Sequence, residues 1–122
     1  MQTRYTIVGT VTRGERYGTT LGYPTANLSV TALDDVERGV YAGTAVREKS
    51  GATYRAGIVI GAQGTNPPKV EAHLLDFSGD LYGETLTLHL VERLREIRSY
   101  ANAEDLKRDI ADDLKKIATR NL

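Results

Sequence analysis

No cysteine occurs among the 122 residues, which excludes a disulfide framework and any thiolate metal site and makes a reducing compartment, the cytoplasm, the expected setting. Net charge is equally absent, since 16 Lys+Arg balance 16 Asp+Glu with the histidines neutral. Such a balance exerts no general pull on nucleic acid or an anionic membrane, so neither is expected as a partner and any polyanion must be gripped locally. Long apolar runs are missing too. Stretches such as Gly57 to Gly61 fall far short of the roughly 18 to 20 residues that a bilayer crossing needs. Met1 to Arg13 lacks the basic start and continuous apolar core of an export signal. What is present is an ordinary globular composition, 40% hydrophobic and 26% charged, at a length that suits one domain over residues 1–122.

Glycine divides the chain. All 12 glycines lie between Gly9 and Gly83, so the architecture is expected to change near residue 84. Before that point short β-rich runs cover Tyr5 to Val11, Gly39 to Arg47, Tyr54 to Ile60 and Lys69 to Leu75. Turn signals at Glu48-Lys49-Ser50-Gly51 and Ser78-Gly79-Asp80 are spaced as in antiparallel hairpins, which predicts a meander or Greek-key barrel. Thr85 to Val91 alternates with period two, placing Leu86, Leu88 and Leu90 on one face and Thr85, Thr87 and His89 on the other. After Asn102 the period becomes helical, with Leu106, Ile110, Leu114 and Ile117 forming an apolar stripe expected to dock on the barrel. Asn102 is the candidate N-cap, and Glu104 with Arg108 and Asp112 with Lys116 are placed to pair at i, i+4.

Three segments carry candidate chemistry. Gly9 to Gly18 runs from a strand into a loop with two further glycines and two arginines, a composition that can cradle phosphate although its spacing is neither a P-loop nor a dinucleotide fingerprint. In Leu21-Gly22-Tyr23-Pro24-Thr25-Ala26-Asn27, an extended chain puts Thr25 and Asn27 on one side, where a hydroxyl and an amide oxygen are hard donors suited to Mg²⁺; an Asx or proline turn is the alternative. In Val70 to Phe77, Glu71 and His73 share a strand face, so Glu71 is a candidate general base with His73 beside it; an ordinary polar sheet face is the alternative. Two histidines on separate strands and no HExxH spacing argue against zinc, and no serine stands in a nucleophile-elbow context.

In order along the chain, Gly9-x-Val11-x-x-Gly14, the Pro-Thr-Ala-Asn motif at residues 24–27, Gly39-Val40-Tyr41-Ala42-Gly43, Glu71-Ala72-His73-Leu74-Leu75-Asp76-Phe77, Asp80-Leu81-Tyr82-Gly83 and Leu94-Arg95 resemble the riboflavin kinase (flavokinase) family. The resemblance implies a mainly β fold, a six-stranded antiparallel Greek-key barrel with a C-terminal amphipathic helix. It implies transfer of the γ-phosphate of ATP to the terminal ribityl hydroxyl of riboflavin to give FMN; a monomer is expected. In family terms Thr25 and Asn27 hold Mg²⁺ and phosphate oxygens. Gly9, Val11, Arg13, Gly14 and the loop through Gly18 cover the nucleotide, with Tyr82 nearby, and Glu71 is the general base. Riboflavin is expected between the Leu94 to Tyr100 loop and the helix, against Glu71, Leu94, Arg95, Tyr100, Leu106 and Ile110. The chain departs from the family pattern at Ile97, where a Glu is common, in the segment Gln63 to Pro68, and at Tyr17-Gly18. Those departures keep a non-catalytic flavin- or nucleotide-binding module open as the alternative.

Overall fold

Alternation of apolar and polar residues is what the strands are built on. The computed structural model describes residues 3–12, 25–30, 36–61, 69–97 and 101–122. Within them the chain forms β1 (Tyr5–Thr12), β2 (Ala26–Ser29), β3 (Gly39–Arg47), β4 (Thr53–Ile60), β5 (Val70–Leu74), β6 (Thr85–Arg95) and the helix α1 (Ala103–Thr119). On β6, Leu86, Leu88 and Leu90 are fully buried between half-exposed Thr85, Thr87 and His89, as period two requires. Ile7, Val11, Leu28, Ile58, Ile60 and Val70 turn inward from the other strands, and together they fill the interior.

Every pairing is antiparallel, and the order β1-β2-β5-β4-β3-β6 closes into a barrel. Three successive strands, β3, β4 and β5, lie side by side and β6 returns beside β3, which is the expected Greek key. Glu48 to Gly51 closes the β3–β4 hairpin, with Gly51 at φ 73° and its N–H donating to the Arg47 carbonyl at 2.7 Å. The hairpin expected at Ser78-Gly79-Asp80 does not form, because β5 pairs with β2 and β4 while β6 pairs with β1 and β3. That segment is instead a crossover tied to β1, where the Gly83 N–H donates to the Val11 carbonyl at 3.0 Å. The short strand β2 was not anticipated, since four residues are too few to display a period.

Two register shifts bulge β6 against β3. Gly43 lies at one of them, where a Cβ would overlap the His89 carbonyl. The helix begins at the expected N-cap, with Asn102 Oδ1 accepting from the Asp105 N–H at 2.9 Å. Its described internal ion pair is Arg108 with Asp105 at i, i+3. Ile117 is the fully buried member of the apolar stripe and fits over Gly57, whereas Leu106, Ile110 and Leu114 are half-buried. Arg55 of β4 donates to the Ile117 and Arg120 carbonyls at 2.9 and 2.6 Å, meeting the negative end of the helix dipole. No helix among the described residues is long and apolar enough to cross a membrane.

Candidate active site

The register of β2 determines what its polar residues can do. Ala26 and Leu28 turn inward, so Asn27 projects from the outer wall, where it is opposite Thr12 on one side and Glu71 on the other. Asn27 is only 4% exposed. Followed around the barrel, the same register gives one lateral row: Thr12, Asn27, Glu71, Val59, Val40 and Arg95. At the usual strand spacing of about 4.8 Å, the four steps from Asn27 to Arg95 cover roughly 19 Å. Glu71 is one step from Asn27, with Lys69 Nζ 3.7 Å from its carboxylate.

Beside this row opens a cleft of about 390 Å³. One wall carries Thr12, Thr25 and His73, and the other is the crossover segment with Phe77, Asp80 and Tyr82. Asp76, two residues beyond β5, adopts φ 58° and so turns the chain into that second wall; a short polar side chain tolerates this left-handed conformation better than most. The Phe77 ring has two close neighbours. Tyr54 meets it edge-on at 5.3 Å between centroids, and the Arg47 guanidinium carbon lies 5.4 Å from its centroid. Arg47 is itself clamped by Glu84 through two bonds, Nε to Oε1 at 3.0 Å and Nη2 to Oε2 at 2.8 Å. The hydrogen bond from Arg47 holds the Glu84 carboxyl below the usual carboxylate range against partial burial, and Glu84 followed by Tyr54 keeps Arg47 charged.

Of the residues singled out in the sequence, Val11, Thr25 and Tyr82 line the cleft, Asn27 and Glu71 stand on the adjoining row, and Gly9 lies farther along β1. Val11 buries its side chain in the core. A Cβ at Gly9 would press on Val30 and the Ser29 carbonyl, which gives this glycine a packing reason of its own. Arg95 stands at the far end of the row beside α1, Leu94 precedes it on β6, and Leu106 and Ile110 are half-buried on α1. Arg95 is held there by Asp113, with Nε to Oδ1 at 3.1 Å and Nη2 to Oδ2 at 2.8 Å. Arg13, Gly14, Gly18 and Tyr100 lie outside the described residues, as do Tyr17 and the Gln63 to Pro68 segment.

Sequence reasoning overlooked Asp113, Arg47 and Glu84. Asp113 is one of several acids along the helix and nothing in the spacing marks it as buried, and Arg47 and Glu84 meet across 37 positions. Phe77 was quoted within a motif and given no task. The Thr25 hydroxyl and Asn27 amide suit a hard cation that completes its shell with phosphate oxygens and water. Among the described residues no group of three or more His, Cys, Asp or Glu could hold a metal without such help.

The chain matches the family model described as flavokinase, riboflavin kinase, over residues 1–120. It is 33% identical over 113 residues to a bifunctional riboflavin kinase/FMN adenylyltransferase of Haemophilus influenzae, covering 90% of this chain and 36% of that one. It is likewise 33% identical over 119 residues to the RNA-binding riboflavin kinase RibR of Bacillus subtilis, covering 93% and 50%. The chain thus spans between about a third and half of these relatives. A crystal structure described as a macrolide-efflux protein from Streptococcus pneumoniae superimposes with a TM-score of 0.81 at 28% identity, over 95% of this chain and 39% of that one. The riboflavin kinase of Trypanosoma brucei superimposes at 0.65 with 23% identity over 93% and 76%, a likeness of fold.

Proposed function

Because the chain belongs to the riboflavin kinase family, we propose that it transfers the γ-phosphoryl group of ATP to the terminal ribityl hydroxyl of riboflavin, releasing FMN and ADP. The lateral row carries this reading. A base candidate, Glu71, stands between oxygen donors at Asn27 and an apolar stretch, Val59 and Val40, that leads to the β6–α1 junction. Nucleotide on one side and flavin on the other would meet at Glu71.

Thr25 and Asn27 are the residues that would hold a divalent cation such as Mg²⁺ with the β- and γ-phosphates. Once bound, the cation supplies neutralisation of phosphate charge. Glu71 takes the proton of the ribityl hydroxyl as its oxygen bonds to the γ-phosphorus and the bond to the β-bridging oxygen breaks. The transition state of such a transfer is loose, so alignment outweighs proton abstraction. Leu94, Leu106 and Ile110 offer half-buried apolar surface for the isoalloxazine ring.

Chromatographic detection of FMN from riboflavin, ATP and Mg²⁺, run beside Glu71→Gln, tests the reading. The wild-type chain is expected to make FMN and the variant to lose about a hundredfold or more in turnover while still quenching riboflavin fluorescence. Quenching with no FMN from any nucleoside triphosphate would leave a flavin-binding module. FMN formation that survives the substitution keeps the kinase and removes Glu71 from the base role.

A further inference from the structure

β5 alternates strictly. Val70, Ala72 and Leu74 are buried in the core, so Glu71 and His73 come to the outer wall, where both are half-buried. The ladder with β4 runs one residue past the strand, because the Gly61 N–H donates to the Lys69 carbonyl at 2.7 Å. Lys69 therefore continues the same outward row, and its Nζ lies 3.7 Å from Glu71 Oε1. Both side chains are largely covered, at 19% and 23% exposure. Solvent screens such a pair less than one on an open surface.

The three outward residues differ in their neighbours. His73 lines the cleft together with Thr25, whereas Lys69 lies on the opposite side of Glu71 along the strand. Glu71 thus has the cleft in one direction and a cation in the other, with Asn27 beside it on β2. A glutamate on an outer face has several staggered rotamers open to it. Attraction to Lys69 favours those that draw the carboxylate back from the cleft. Phosphate charge gathering in the cleft repels the carboxylate in the same direction, so both forces select one position.

We propose that Lys69 is a positioning residue for the base, its ammonium holding the Glu71 carboxylate in line for the ribityl hydroxyl and back from the phosphate groups. The inference rests on the kinase reading and adds to it what fixes the base. Lys69 acts on the reaction only through Glu71, so its effect must vanish when that carboxylate is gone. Without the cation the base is loosened and not removed.

Single-turnover formation of FMN isolates the transfer step, while quenching of riboflavin fluorescence and ADP calorimetry report binding. Lys69→Met keeps the apolar stem and removes the charge. It is expected to slow transfer about tenfold, less than Glu71→Gln does, with both affinities within about twofold of wild type. Lys69→Arg restores a cation and is expected to recover at least about half of the wild-type rate, because a single-point ion pair does not demand an ammonium. In the Glu71→Gln background, Lys69→Met should cause no further slowing. Lys69→Gln keeps the test available should Lys69→Met fail to fold. Transfer in Lys69→Met within about twofold of wild type overturns the inference. A loss confined to affinity, a loss that Lys69→Arg leaves in place, or full additivity with Glu71→Gln overturns it as well. Any of those results beside an active wild type and a slow Glu71→Gln loses only this inference. FMN formation that survives Glu71→Gln loses the base reading and this inference with it.

Discussion

Single side chains here act mainly by fixing one another, and Glu84 shows how that depends on pH. Its carboxyl is held below the ordinary range by the Arg47 guanidinium, so the pair stabilises the folded chain above the unfolded carboxyl's pKa and loses that contribution as pH falls through the lower folded value. Glu84→Gln is thus expected to melt below wild type at pH 7, with the gap closing on the acid side of the carboxylate range. Because both side chains keep some exposure, 23% and 16%, added salt should narrow the gap at neutral pH as well. Thermal melts at several pH values and two ionic strengths would check both, and a gap that widens in acid contradicts the assignment. No pattern in the sequence announces this pair, because neither residue belongs to a periodic run that would place it. Thr25, Asn27 and Glu71 could be singled out as candidates for the opposite reason: each stands in a compact motif whose residues are neighbours in the chain.

At the scale of elements, legibility followed length. The nine-residue β3 is a long β-rich run, the eleven-residue β6 alternates over Thr85 to Val91, and α1 carries a stripe and a cap, so all three could be read directly. β2 has four residues, one of them a buried Asn, and its pattern alone does not separate a strand from a turn. The crossover after β5 looked like a hairpin because Ser-Gly-Asp is good turn chemistry; which strand comes next is decided by long-range pairing that local signals do not contain. The bulges of β6 against β3 were equally invisible. Gly43 is where that geometry is least forgiving, since what a Cβ would meet is the His89 backbone and not a side chain that could swing away. Gly43→Ala is expected to cost about 3 kcal/mol, the upper end for overpacking, as a lowered urea midpoint. Val8→Ala, on the exposed side of β1, serves as the reference and should stay within about 0.5 kcal/mol of wild type.

For the whole molecule, closure is what brings the two ends of the candidate site into one row. Asn27 belongs to β2 and Arg95 to β6, and they share a circumference only because β5, β4 and β3 lie between them in register. The helix is fastened to that wall at several unlike points: Ile117 over Gly57, Asp113 on Arg95, and Arg55 on the last carbonyls. A structure joined in this way should lose barrel and helix together, because opening any seam removes the partners of the next. Leu88 lies at the middle of the inner layer and is fully buried. Leu88→Ala is expected to cost about 3 kcal/mol through lost burial and the cavity left behind, while unfolding remains one transition. Far-UV circular dichroism, which weights the helix, and tyrosine fluorescence, which reports on the barrel through residues such as Tyr41 and Tyr54, should give coincident curves in both wild type and variant. Separation of the two curves, with the helix signal lost first, would mean that α1 rides on a barrel that stands without it, and the far end of the row would then be free to open independently of the cleft.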